Sequence, residues 1–109
     1  MRRGEIWWAS LPPPSGRRPV VLVSRSSAYE VRTSVTVVEI SRTIRGIPSE
    51  VQLGARDGMP RHCAANADNI MTIPKRLLDV RVAMLRPDRI EALDSALQFS
   101  LSLPAPAAG

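Results

Sequence analysis

Lysine is almost missing from this chain: of its fifteen basic residues, Lys75 alone is lysine and the other fourteen are arginine. Cysteine and histidine occur once each, as the neighbours Cys63 and His62. One thiol cannot close an internal disulfide, and one thiol with one imidazole leaves a zinc site short of ligands. No run of about 18 apolar residues occurs, so no stretch reads as a membrane-spanning helix. The opening "MRRGEIWW" reaches Glu5 before an apolar segment can form, which excludes a secretory signal. Internal repeats are absent. These absences describe a cytoplasmic domain with no membrane role, no metal and no cofactor.

What is present is a core and a surplus of positive charge. The chain has 109 residues, 44% of them hydrophobic. That is enough for one domain with one core, read over residues 1–103, followed by a frayed tail over 104–109. Fifteen basic residues against ten acidic ones give a formal charge of +5 and an isoelectric point near 11.0. Such a surplus suits a polyanionic partner, either a nucleic acid or an acidic protein segment.

The apolar pattern reads mostly at strand period. Arg3 to Ser10, Pro19 to Ser24 and Thr33 to Ser41 are dense in β-branched or aromatic residues; Glu50 to Leu53 and Val80 to Leu85 are shorter strands. Between the first two lies "LPPPSG", a loop because three prolines remove three donors. His62 to Thr72 reads as extended. Ser26 to Arg32 and Pro74 to Leu78 read as single helical turns, with Pro74 at the first position of the second. The period then changes: Ile90, Leu93, Leu97 and Leu101 recur at helical spacing behind Pro87, with Asp88 and Glu91 as a capping box. The expected architecture is α+β, a small antiparallel barrel closed by a C-terminal amphipathic helix.

Arg17 and Arg18 pose the functional question, since they stand against the apolar run that begins at Pro19. Guanidinium carries a permanent charge and a rigid fork of donors that matches phosphate. Trp7 and Trp8 are adjacent on a strand, so one faces the core and the other is left for a base or a second subunit.

Four segments in order carry a family resemblance: "RGEIWWASL", "RRPVVLVSR", "VTVVEISRTIRGIPSEVQL" and "ANADNIMTI". Together they resemble the MazF/PemK toxin ribonucleases from Arg3 to about Leu101, and "RTIRGIPSEV" is similar to a mycobacterial-type branch. The resemblance implies a homodimeric SH3-like barrel that cuts single-stranded RNA at short sequences without metal. It also implies a cognate antitoxin whose acidic, disordered segment neutralises the enzyme and supplies any contact with DNA. The family's functional arginine falls on Arg18, its strand-end threonine on Ser41 and its acidic residue on Asp68. Arg17, Arg42, Thr43, Arg45, Asn66, Asp68 and Asn69 are the expected RNA-binding residues. Three features depart from the family's pattern: the first loop is shorter and stiffer, Ser41 replaces threonine, and Met71 stands where many members carry arginine.

The chemistry follows from the residue types. Metal-free RNA cleavage uses the ribose 2′-OH against its own phosphate and leaves a 2′,3′-cyclic phosphate and a 5′-OH. Charge grows on the nonbridging oxygens, so a fixed guanidinium stabilises the transition state more than the ground state. Loss of one such donor costs about 10²-fold or more in rate. Arginine hardly deprotonates, so Arg18 is read as an electrostatic stabiliser. His62 is the ordinary candidate base but is read as structural. Plainer roles exist as well: Ser41 as a turn cap, Arg42 and Arg45 as a solubilising loop, and Asn66, Asp68 and Asn69 as turn formers. Two rival functions remain, a barrel that poisons gyrase and a member that binds RNA or antitoxin without cutting.

Overall fold

A computed structural model describes residues 1–104. Six strands form one sheet: β1 (Glu5–Ser10), β2 (Arg17–Leu22), β3 (Ser34–Ser41), β4 (Glu50–Leu53), β5 (Cys63–Pro74) and β6 (Leu78–Met84). Their order is β4-β5-β3-β2-β1-β6, with every recorded pair antiparallel. A single turn, α1 (Ala28–Val31), follows β2, and the helix α2 (Pro87–Ser100) closes the described chain. The sheet curls into a half-barrel and α2 packs across β4 and β5, in agreement with the α+β barrel-and-helix expectation. Among the described residues, no helix is long and apolar enough to cross a membrane.

The single core expected from the sequence is two clusters, one on each face of the sheet. Val21, Val38 and Ile40 join Ile6, Val51, Leu53 and the helix residues Leu93 and Ala96 on one face. Val20, Leu22, Val35 and Val37 join Ala9, Leu11 and Tyr29 on the other. Successive strand side chains point to opposite faces, so a strand covered on both sides reads as a continuous apolar run. That is the origin of "PVVLV" and "VTVVEI". Glu39 is the exception inside the second run and is nonetheless buried.

The helix differs from its expected start. Arg86 is the N-cap, Pro87 is the first helical residue, and no side chain caps the end. Asp88 therefore sits inside the first turn, and the Asp88–Glu91 capping box does not form. The anchor comes from elsewhere in the chain: Asp57, in the 3₁₀ turn Ala55–Asp57, accepts from Arg89 Nε at 3.1 Å and faces Arg86 at 3.8 Å. Burial pushes the Asp57 carboxyl up, but the Gly54 N–H and the two arginines outweigh it and hold the group below its ordinary range. Along the helix Leu93 and Ala96 are buried and Ile90 and Leu97 pack beside them, whereas Leu101 lies past the helix end and is exposed. Pro74 ends β5, and the short turn that follows is Lys75–Leu77. Of the tail expected over 104–109, residues 105–109 lie outside the described chain.

Gly4 shows why the first motif needs glycine. Its φ is +96°, and an added Cβ would stand 2.9 Å from Ile90 Cδ1. Its N–H donates to the Leu22 carbonyl at 2.8 Å and its carbonyl accepts from Leu85 N at 2.9 Å. The residue thus joins β2, the end of β6 and α2 at one point. Gly4→Ala should cost about 2 kcal/mol in urea unfolding with an unchanged m-value, mainly from the forced positive φ. An unaltered midpoint would show that this turn does not constrain the fold.

Candidate functional site

β2 begins two residues earlier than the sequence suggested, so both arginines belong to the strand, with Ser10 opposite Arg17 and Ala9 opposite Arg18. Pro19 comes next and has no N–H to give. Pairing between β2 and β3 is recorded from Val20↔Glu39 inwards, and not at Pro19. Beyond that point no β2/β3 pairing is recorded, and residues of both strands line a groove of about 470 Å³. Arg17, Arg18 and Pro19 form one wall; Ile40, Ser41, Arg42 and Thr43 form the other. Continuing the β2/β3 register outward by two residues sets Arg18 across from Ser41. The Arg-Pro pair thus lines the groove at the point where the recorded β2/β3 pairing ends.

Arg18 is held by one nitrogen. Its Nε donates to the Ser15 carbonyl at 2.8 Å and lies 3.2 Å from Glu39 Oε1. Among the described residues its two terminal nitrogens have no protein partner, and they are the end of the fork that suits phosphate. The Ser41 oxygen accepts from Thr43 N at 3.1 Å, which is the turn-capping role, yet its own proton stays free to donate. Arg17 leans over the Trp8 ring with its guanidinium carbon 4.7 Å from the centroid, while its Nε meets Asp79 at 3.2 Å. Both members of that ion pair are exposed, so it contributes little to stability. The stacked cation and ring present a flat surface at the groove wall.

Arg17, Arg18, Ser41, Arg42 and Thr43 thus come together in one groove. Arg45, Asn66, Asp68 and Asn69 lie outside the groove. The loop that carries Arg45 is latched by Glu50, whose carboxylate accepts from Arg45 N and Gly46 N at 2.8 Å each. Asn66 Oδ1 accepts from Asp68 N at 2.9 Å, and Asp68 accepts from Ser49 Oγ at 2.7 Å. Those side chains brace β5 against the loop, and Asn69 stands exposed beside them. His62 does not line the groove either.

Sequence reading missed Arg61, Met59 and Cys63, which form the far side. They arrive because β5 pairs with both β3 and β4, setting Ala64 beside Ser41 and Cys63 beside Leu53. No local signal announces such a pairing. Cys63 is buried, and burial with the nearby Asp57 charge raises its thiol pKa, so it serves as an apolar wall. Glu39 was also missed. A lone acid in an apolar strand was the available signal.

Comparison with known proteins places the chain in a family. A family model described as "PemK-like, MazF-like toxin of type II toxin-antitoxin system" matches residues 2–101. The chain belongs to this family. Among curated MazF relatives it is similar to the "Probable endoribonuclease MazF2" of Mycobacterium tuberculosis, with 38% identity over 92% of this chain and 97% of the relative. MazF5 of the same species is 36% identical over 91% of each chain. Among solved MazF structures, the Mycobacterium tuberculosis toxin MazF-mt6 superimposes with a TM-score of 0.86 and 30% identity, covering 93% of this chain and 99% of that one. A mycobacterial endoribonuclease in complex with its cognate antitoxin gives a TM-score of 0.84 at 28% identity, over 97% of this chain and 99% of its own.

Two departures from the MazF pattern now have positions. The short loop 11–16 is a closed hairpin, with Leu11 N donating to the Gly16 carbonyl at 3.0 Å, and its Ser15 supplies the carbonyl that holds Arg18. Met71 pairs with Val37 and packs against the second cluster, away from the groove.

Proposed function

We propose that this chain is the toxin of a type II toxin–antitoxin pair and acts in the cytoplasm as an endoribonuclease on single-stranded RNA. The observation that carries this reading is the Arg18 guanidinium, anchored through Nε, with its terminal nitrogens left for the groove it shares with Ser41. A phosphodiester in that groove would meet the flat end of the fork and, from the other wall, the Ser41 O–H. Attack by the adjacent 2′-OH would form the O2′–P bond and break P–O5′, with the 2′ proton passing on balance to the departing 5′ oxygen, to give a 2′,3′-cyclic phosphate and a 5′-OH. Such a path needs charge stabilisation and proton transfer but no metal. Arg17, Arg42 and Arg61 extend the positive wall along which a backbone would run. Trp8 offers a ring for a splayed base.

The partner we propose is an antitoxin with an acidic, disordered segment that folds along this basic wall and excludes RNA. The +5 charge supports it. The toxin itself is proposed to act as a homodimer.

The direct test is incubation of purified protein with a mixed-sequence RNA in EDTA, followed by mapping of the ends. Cleavage that persists and leaves cyclic phosphates is the expected result. Ser41→Ala should slow it by about tenfold, less than loss of a charged donor costs, and Ser41→Thr should restore it. Intact RNA that remains bound would replace this reading with a non-cutting binder; inhibition of gyrase would replace it with a topoisomerase poison.

A further inference from the structure

We propose that Glu39 is a positioning residue for Arg18, fixing the guanidinium from behind so that its terminal nitrogens face the groove. The inference rests on the reading of Arg18 as the phosphate-stabilising group. A carboxylate between Val38 and Ile40, only 9% exposed, loses most of its hydration on folding and must recover it from a partner. Among the described residues, its one ion-pair partner is Arg18, at 3.2 Å.

The atom engaged decides the role. Glu39 and the Ser15 carbonyl both approach Nε, and neither uses the two-pronged end that a carboxylate takes when it saturates an arginine. Arg18 is therefore oriented without being consumed. Glu39 itself does not line the groove. Strand alternation sets it on the face that carries Val37 and Ser41, one step further along β3 from the groove than Ser41. Its recorded ion-pair contact is with the Nε side of Arg18, so the role assigned to it is to hold the guanidinium. Its negative charge would repel phosphate from inside the groove; behind the guanidinium, it pins the cation at a smaller cost.

The backbone supports the placement. Between Val38↔Ile70 and Ile40↔Ala65 the β3/β5 register jumps, so Glu39 is the one residue between them without a recorded β5 partner. On its other side it pairs with Val20, two residues from Arg18. The extra residues at this irregularity are Asn66 to Asn69 on β5, which leaves the β5 side of Glu39 without ladder pairing.

The test measures kcat and KM on an RNA oligonucleotide cut by the wild type, for Glu39→Ala, Glu39→Gln, Arg18→Ala and the Arg18→Ala/Glu39→Ala double variant. Glu39→Ala should lower kcat by about 10- to 100-fold, as loss of an orienting partner does, with KM changed by less than about threefold. Glu39→Gln keeps an oxygen acceptor and should recover most of that loss. In the Arg18→Ala background, Glu39→Ala should add nothing. Full activity in Glu39→Ala, a loss confined to KM, or an equal loss in the Arg18→Ala background would overturn the proposal.

A second readout needs no turnover. The Arg18 Nε–H resonance, identified by its disappearance in Arg18→Ala, should be protected in ¹⁵N spectra of the wild type, move only slightly in Glu39→Gln, and shift and exchange faster in Glu39→Ala, where the Ser15 carbonyl is its remaining partner. If Glu39→Ala does not fold, Glu39→Gln carries the test, since an Arg18 signal identical in shift and exchange rate would then count against the contact. Failure of the wild type to cut any RNA would defeat the function proposed above, while this spectrum still decides whether Glu39 holds Arg18.

Discussion

Arg18→Ala should reduce RNA cleavage by about 10²- to 10³-fold, the largest functional effect expected of any single substitution in this chain. In the proposed role Arg18 offers a charge where negative charge would develop, and its Nε contacts with the Ser15 carbonyl and Glu39 would leave little reorganisation for the moment of reaction. Arg17 lacks that anchoring: it divides itself between the Trp8 ring and Asp79, on an exposed wall. Arg17→Ala should therefore act mainly on KM, by a few-fold, and reduce the salt dependence of binding. Arg18→Lys separates charge from shape, because it keeps a cation but has no fork to present while held by Nε. It should remain at least tenfold below wild type. Removing Arg18 also leaves the buried Glu39 unpaired, which adds a structural cost to the functional one. Circular dichroism and the unfolding midpoint separate the two effects: a folded Arg18→Ala protein that cuts at the wild-type rate would refute the assigned role.

The parts of this site that could be read in the sequence are those adjacent along the chain or joined by a motif. Arg17, Arg18 and Pro19 are consecutive, and Ser41 ends the strand that follows β2 in the chain and lies beside it in the sheet. The β-branched runs gave β2 and β3 because both faces of those strands are covered, as the two clusters show. The same runs concealed that there are two cores, since a doubly covered strand and a singly buried one both read as apolar. Long-range pairing was not legible. Arg61 reaches the groove only because β5 is long enough to pair with β4 through its first residues and with β3 through most of its length. Asn66 and Asp68 had the composition of a recognition surface, but their side chains satisfy the backbone of their own strand and the hydroxyl of Ser49. The start of α2 misled for a related reason: the acid that meets both arginines at its N-terminal end is Asp57, far upstream in the chain, and not Asp88.

Leu93→Ala should be more destabilising than Gly4→Ala or any of the groove substitutions, at about 3 kcal/mol, within the range for fully buried leucines. Leu93 is 0% exposed and is the larger of the two α2 residues buried in the cluster that also holds Ile6, Val38, Ile40 and Leu53. A domain of this size has only about 5–15 kcal/mol in total, so the midpoint of thermal unfolding should fall by more than about 10 °C. Leu22→Ala is the informative comparison. Leu22 is equally buried, but it belongs to the cluster on the opposite face. Both variants should lose similar stability, yet their activities below the melting range should differ. Met59, Cys63 and Ile40 line the groove and are also members of the Leu93 cluster. A cavity at Leu93 lets that wall relax, and a displacement of even about 1 Å at a phosphate-binding group can cost up to 10²-fold in rate. Leu22→Ala leaves that wall supported, and its folded fraction should cut RNA at the wild-type rate. Equal specific activities for the two folded variants would show that the groove is held by its own strands, with no support from the helix packed behind it.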